Sequence, residues 1–291
     1  MVDPRRHGTV NSLSLDAERP SGAAQLIPAG LDGVLVLLRH GQTQFIVEKR
    51  FQGAMEAPLT TLGEEQARRA GRRLAAPTAD PPLPIPDTSP FVIVHSQLGR
   101  ARRSAELVVD EMAAAGRATP PLREDAGFSE IAQGSWEGLT EQEIAAGFGD
   151  SLARWRRWPE RFHAPGGEAL ADVGRRVETA LSSLLTEMAV GTRPGTLDRH
   201  QVLGYGDGTA DTRRWSLIVG HGGVFRVVAC ILLGLEPQHF WNFDFGLGSI
   251  TVVEIRAGRA VLRAINLDSH LGEDAGQAAA ESAGRNAAGA L

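Results

Sequence analysis

Residues 33–43 read Gly33-Val34-Leu35-Val36-Leu37-Leu38-Arg39-His40-Gly41-Gln42-Thr43. A short unbroken apolar run fits a strand buried on both faces, as in a parallel sheet. It stops abruptly at an arginine, a histidine and a glycine. Two later segments repeat this design. Phe91-Val92-Ile93-Val94-His95 runs into Ser96-Gln97-Leu98-Gly99-Arg100 and a helix to about Ala115. Trp215-Ser216-Leu217-Ile218-Val219 runs into Gly220-His221-Gly222-Gly223 and an apolar helix to Leu233. A further helix starts near Thr60 or Thr61, where Thr61 and Glu64 have the spacing of a capping box, and Thr140 with Glu143 has it again. Ser151 to Trp158 and Ala169 to Met188 also read as helices. Pro77 to Pro90 is a proline-rich loop, and Ile250 to Ile255 with Ala260 to Ala264 make a closing hairpin around Ala257-Gly258. This order predicts an α/β fold: a three-layer sandwich with a mainly parallel central sheet flanked by helices, plus a helical cap insertion at about 139–168.

The predicted domain runs over 31–271. Residues 1–30 are polar and rich in small residues, and read as a flexible N-terminal extension. The stretch at about 191–213 lacks periodicity and reads as a surface insertion, and 272–291 reads as a disordered tail. A chain of 291 residues with 42 % hydrophobic content can bury a sizeable core. The net charge of -5 excludes a global basic field, so no nucleic-acid partner is expected. An anionic substrate would have to be met by a few local arginines. The single cysteine, Cys230, sits in an apolar run, so it reads as a packed thiol and no internal disulfide is possible. No stretch reaches the ~20 apolar residues of a membrane span, and no secretory signal stands out. The expected location is the cytoplasm, with no membrane partner. The eight histidines form no cluster at ligand spacing, so neither a metal nor a cofactor is expected.

Ligands of open α/β sheets bind beyond the carboxyl ends of the strands, where the unusual polar residues fall. Neutral imidazole, with a reference pKa of ~6.5, is a nucleophile near neutral pH, and an arginine fork matches phosphate oxygens. His40 and Arg39 offer both, although a packed core histidine is the plainer reading of the pair alone. Arg100 lies in the first turn of a helix, a poor place for a cation unless an anion is near, or else it is a solvated arginine beside Arg102 and Arg103. Glu130 and Glu137 flank Trp136 in a glycine-punctuated loop. A partly buried carboxyl there can protonate a leaving oxygen, or both acids are simply solvated. At Gly220-His221-Gly222-Gly223, a helix start offers N–H groups to an anion, and His221 adds a donor. A core histidine at a tight turn is the plainer reading of that piece.

The ordered set resembles the branch of the histidine phosphatase superfamily that contains cofactor-dependent phosphoglycerate mutases and many small-molecule phosphatases. The likeness runs from about Gly33 to Leu271. It rests on Arg-His-Gly-Gln-Thr at 39–43, Gln52-Gly53, Pro58-Leu59-Thr60 with Gly63 and Gln66-Ala67, Ser96 to Ala105, Glu130 to Gly138, Pro165-Gly166-Gly167-Glu168, and His221-Gly222-Gly223. It implies that His40 is phosphorylated, that Arg39, Arg100, His221 and Gly222 line the phosphate pocket, and that Glu130 is the general acid and base. The implied function is hydrolysis of small phosphorylated metabolites, without a metal. Two positions depart from the pattern: Ile46 replaces a usual asparagine, and Ala169 a usual serine. Thr43 and Glu168 are secondary candidates. Arg154-Trp155-Arg156-Arg157-Trp158-Pro159-Glu160-Arg161-Phe162 either packs its tryptophans inward or offers aromatic and cationic faces to a substrate. The run 266–271 loosely resembles the end of phosphatases acting on nucleoside-type phosphates such as α-ribazole phosphate. Mutases of this branch usually carry Arg-His-Gly-Glu-Ser and an asparagine at 46, so Gln42, Thr43 and Ile46 favour hydrolysis over mutase-type transfer. A binding module that has lost the chemistry would not need both histidines, both arginines and Glu130. Neither the natural substrate nor the oligomeric state can be read from these residues.

Overall fold

The computed structural model describes residues 26–190, 211 and 213–272. Six strands form one sheet: β1 (Gly33–Arg39), β2 (Ile93–His95), β3 (Leu122–Glu124), β4 (Arg214–Gly220), β5 (Ile250–Arg256) and β6 (Arg259–Leu267), in the order β3-β2-β4-β1-β5-β6. The first four run parallel, and the closing hairpin of β5 and β6 adds antiparallel to β1. The sheet is therefore mixed, with its parallel half carrying the carboxyl ends singled out above.

Among the described residues five main helices cover it: α1 (Thr61–Ala75), α2 (Gly99–Ala114), α3 (Glu141–Arg157), α4 (Leu170–Ala189) and α5 (Gly222–Leu233). Successive strand side chains point to opposite faces. In β1, Val34, Val36 and Leu38 enter the core beneath α1 and α2, while Leu35 and Leu37 enter the core shared with α3, α4 and α5. Burying each such side chain contributes ~1.5–3 kcal/mol, so β1 is fixed from both sides. The three layers expected from the sequence are present.

Several local readings change. The N-cap of α1 is Thr60, whose hydroxyl accepts from Gly63 N–H, while Glu64 reaches across to Arg103. The capping-box spacing pointed to Thr61, but Glu64 is taken by Arg103 and the adjacent Thr60 makes the cap. The Thr140–Glu143 capping box does form and starts α3. Of the N-terminal extension only residues 26–30 are described, and there Ile27 joins the core, as does Leu31 at the start of the domain. The rest of that extension, almost all of the 191–213 insertion and residues 273–291 lie outside the described residues. The stretch expected to form a cap joins the main core through Ile144, Leu152 and Trp155, and the Trp155 ring meets Phe240 and Trp241 at 5.6 and 5.7 Å. Beyond it, Trp158 is 39 % exposed beneath Arg157, and Arg154 lies over Phe162. Trp155 thus packs inward, while Trp158 is left partly exposed.

One close approach places the loop after β1. A Cβ on Gly41 would fall 2.1 Å from the Gly63 carbonyl oxygen, and one on Gly63 would fall 2.0 Å from the Gln42 carbonyl oxygen. Gly63 sits in the first turn of α1, so two backbones touch where any side chain would part them. Gly63→Ala is expected to cost about 3 kcal/mol, the upper end for overpacking. Urea denaturation would read this, and a midpoint equal to wild type would show that the contact yields easily.

Candidate active site

Sheet register builds the site. Arg39 is level with Gly220 and His95 with Val219, so the next residues, His40, His221 and Ser96, leave three neighbouring strands together. Backbone bonds continue the ladder past the strand ends, His40 N–H to Gly220 O at 3.0 Å and Ser96 N–H to Val219 O at 3.1 Å. The His40 and His221 rings lie 5.1 Å apart, tilted by 59°. Both are buried.

His40 Nδ1 is 2.7 Å from the carbonyl oxygen of Gly41. A carbonyl can only accept, so Nδ1 carries the hydrogen and the ring lone pair is on Nε2. His221 Nε2 is 2.8 Å from Ser96 Oγ. Burial first, then the charges of Arg100, His40 and Arg39, push His221 well below its ordinary 6.5, so it is neutral at physiological pH.

Two arginines complete the centre. Arg39 donates to Phe245 O at 2.6 Å and packs so closely that a Cβ on Gly222 would lie 3.2 Å from its Cζ. Glycine at 222 therefore makes room for the guanidinium. Arg100 donates to Gly53 O at 2.7 Å and Met55 O at 2.8 Å, while its buried Nε has no hydrogen-bond partner among the described residues. Burial pushes Arg100 down to about 10, against the favourable charges of Glu130 and Glu56. It remains a cation at neutral pH.

Glu130 is brought to the same place, with an unforeseen set of partners. Its Oε2 accepts from Gly223 N–H at 3.0 Å, and its Oε1 from Val224 N–H at 2.9 Å and Ile131 N–H at 3.0 Å. The sequence led us to expect a ligand anion on the first N–H groups of α5. The group there is the chain's own Glu130 carboxyl, whose oxygens cap the positive end of the helix.

The secondary candidates have structural partners. Thr43 caps the one-turn helix Gln44–Val47 and donates to Gln52 Oε1 at 2.6 Å. Ile46 packs with Leu247 and Leu271 in a small apolar cluster, so the amide expected at this position is replaced by core. Glu137 ties Ala54 N–H to Gln133 N–H, both at 2.8 Å. Glu168 accepts from Ala132 N–H at 2.9 Å and forms a two-pronged ion pair with Arg176. Arg176 in turn donates to the carbonyls of Gly127, Ser129 and Glu130, so this pair pins the loop that carries Glu130. Burial alone would raise the Glu168 carboxyl, but the hydrogen bonds from Arg176 and Ala132, with the charge of Arg176, hold it below its ordinary 4.5. A depressed carboxyl contributes stability above its unfolded pKa and loses it as pH falls through the folded value. The stability gap between wild type and Glu168→Gln should thus be largest near neutrality and close below about pH 4. Denaturation midpoints across pH check this; a gap that stays constant in acid would refute the linkage.

Three residues that matter here were not singled out from the sequence. Ser96 was noted only as part of a strand end. Arg176 lies on the polar side of α4 and gives no local signal. Arg226 is buried on α5, donates from Nε to Phe243 O at 3.0 Å and stacks on Phe240 and Trp241. Burial and the nearby Arg39 push it down to about 10, opposed by Glu130 and Asp244. A lone charge in the run Val224-Phe225-Arg226-Val227-Val228 was the available clue. Among the described residues, no group of three or more His, Cys, Asp or Glu could hold a metal ion, and no helix is long and apolar enough to cross a membrane.

Comparisons with known proteins point to one superfamily. The model of the histidine phosphatase superfamily (branch 1) matches residues 35–192 and 205–268. A glucosyl-3-phosphoglycerate phosphatase of Mycolicibacterium vanbaalenii is 30 % identical over 76 % of this chain and 83 % of its own length. A 2,3-bisphosphoglycerate-dependent phosphoglycerate mutase of Methylorubrum populi is 28 % identical over 84 % of this chain and all of its own. Among solved structures, a mycobacterial glucosyl-3-phosphoglycerate phosphatase in complex with VO3 has a TM-score of 0.63 at 26 % identity, covering 81 % of this chain and 99 % of that one.

Proposed function

The chain belongs to the histidine phosphatase superfamily, branch 1, and on that premise we propose that it is a phosphomonoesterase that hydrolyses small phosphorylated metabolites through a phosphohistidine on His40. One observation carries the reading: two histidine rings 5.1 Å apart, one with its lone pair on Nε2, are buried with Arg39 and Arg100 at the carboxyl ends of β1, β2 and β4. Such a centre suits an in-line displacement at phosphorus. His40 Nε2 attacks, the phosphorus–oxygen bond to the leaving group breaks, and the two cations offset charge on the equatorial oxygens. Positioning and electrostatics supply the catalysis, and no step calls for a metal. Glu130 gives a proton to the departing oxygen, then takes one from the water that attacks phosphohistidine. His221 is a neutral donor to the phosphoryl group.

Relatives of both kinds, phosphatase and mutase, resemble the chain. Hydrolysis is favoured because Gln42, Thr43 and Ile46 stand where mutases of this branch usually carry Glu, Ser and Asn, and here all three are tied into the scaffold. Gln42 is bonded to Gln66 and Thr60, Thr43 to Gln52, and Ile46 is buried with leucines. The glucosyl-3-phosphoglycerate phosphatase relative makes phosphorylated glyceric acids and their glycosides the first substrates to test. The deciding assay follows phosphate release in excess EDTA, with wild type against His40→Ala. Isomerisation of primed 3-phosphoglycerate without net hydrolysis would place the chain with the mutases instead.

A further inference from the structure

Ser96 directly follows β2, level with Gly220 and one residue short of the two histidines, and it is fully buried. Its Oγ accepts from Leu98 N–H at 3.1 Å and lies 2.8 Å from His221 Nε2. A hydroxyl has one hydrogen and two lone pairs. One lone pair is used by Leu98. If His221 Nε2–H were also to donate to Oγ, the hydroxyl hydrogen would be buried with no acceptor among the described residues, which is costly. With the hydroxyl donating to Nε2, both Ser96 and Nε2 are satisfied, and the one hydrogen left over is that on His221 Nδ1. We propose that Ser96 is a positioning residue for phosphoryl transfer, whose hydroxyl donates to His221 Nε2 and holds that imidazole in the Nδ1–H tautomer, a neutral donor to a phosphoryl oxygen.

A second observation supports the assignment. His221 Nδ1 is buried and has no hydrogen-bond partner among the described residues. Its ring sits 5.1 Å from that of His40 and feels the charges of Arg39 and Arg100. In the opposite tautomer, Nδ1 would present a lone pair, which repels a phosphoryl oxygen. Burial keeps the ring neutral, so the hydrogen it holds is set by its partner. The hydroxyl moves no proton in the reaction and touches no substrate. It acts through His221, and its catalytic consequence rests on the hydrolase reading above.

The test is NMR of protein labelled with 15N-histidine, with His221 assigned by comparison with His221→Asn. Between pH 6 and 8 the wild type should show His221 as Nδ1–H. Ser96→Ala should populate the Nε2–H form, weaken binding of inorganic phosphate, and lower kcat by about 10- to 100-fold with a smaller change in KM. Ser96→Thr, which keeps the hydroxyl, should restore tautomer and rate together. An Nε2–H signal for His221 in wild type overturns the proposal, as does Ser96→Ala with both tautomer and kcat unchanged. Should Ser96→Ala fail to fold, the wild-type spectrum decides alone. That spectrum needs no turnover: a wild type that releases no phosphate from any ester would sink the hydrolase reading and leave the tautomer result standing.

Discussion

His40→Ala is expected to lower kcat on an aryl phosphate by at least about 10³-fold, the scale of losing a covalent nucleophile. The loss should fall on chemistry more than on folding. The His40 side chain makes its hydrogen bond to the adjacent residue Gly41, so truncation severs no long-range tie through that nitrogen. Arg39, Arg100 and His221 keep their positions, and the variant should still bind vanadate or phosphate. The same variant should lose an acid-labile phosphoprotein that wild type accumulates on rapid quenching. Because Nδ1 faces the Gly41 carbonyl, the phosphoryl group in wild type should be on Nε2, which phosphorus NMR of the denatured adduct distinguishes from Nδ1. Hydrolysis unchanged in His40→Ala, or abolished in wild type by EDTA, would refute the mechanism.

Glu130→Gln is expected to separate substrates by their leaving groups. An alkoxide needs a proton as it departs, and an aryl oxide far less so. Losing a general acid typically costs 10²–10⁴-fold, so alkyl phosphates should slow by roughly that factor and aryl phosphates by about tenfold or less. The helix-capping role predicts something different. Glutamine retains one acceptor oxygen but turns an amide N–H2 toward the backbone donors of Gly223, Val224 or Ile131, and a mispaired buried group costs ~1–3 kcal/mol. Stability should therefore fall whatever the chemistry. Equal rate losses on both substrate classes, together with lower stability, would make Glu130 a cap and leave proton transfer to another group.

Much of this site was legible because chemistry gathers at strand ends. Arg39-His40, Ser96 to Arg100 and His221 each break an apolar run, and parallel pairing then makes them neighbours. The closing hairpin and the Thr140 cap were legible for local reasons, a positive-φ turn at Ala257-Gly258 and a reciprocal hydrogen-bond pair. What escaped was set by distant partners. Strand β3 is three residues long, with Leu122 and Glu124 exposed, and an edge strand that short carries no periodicity. Two of the three N–H partners of Glu130 lie more than ninety residues away on α5, so its position could be inferred only from the resemblance. Ser96 looks like any strand-end serine until β4 is laid beside β2. Arg176 becomes meaningful only when α4 is seen against the 127–132 loop.

Cys230 lies buried on α5, and desolvation pushes its thiol up to about 11. As the sole cysteine of the chain, it stays protonated and unreactive at the pH where maleimides couple. The natural sequence is therefore already a quiet background for spectroscopic probes. A cysteine placed at exposed Met55, on the loop that holds Arg100, or at exposed Trp158 would be the one thiol to take a label. Motion of the chain around a bound phosphate could then be followed by fluorescence or spin resonance without first stripping the protein of its own sulfur.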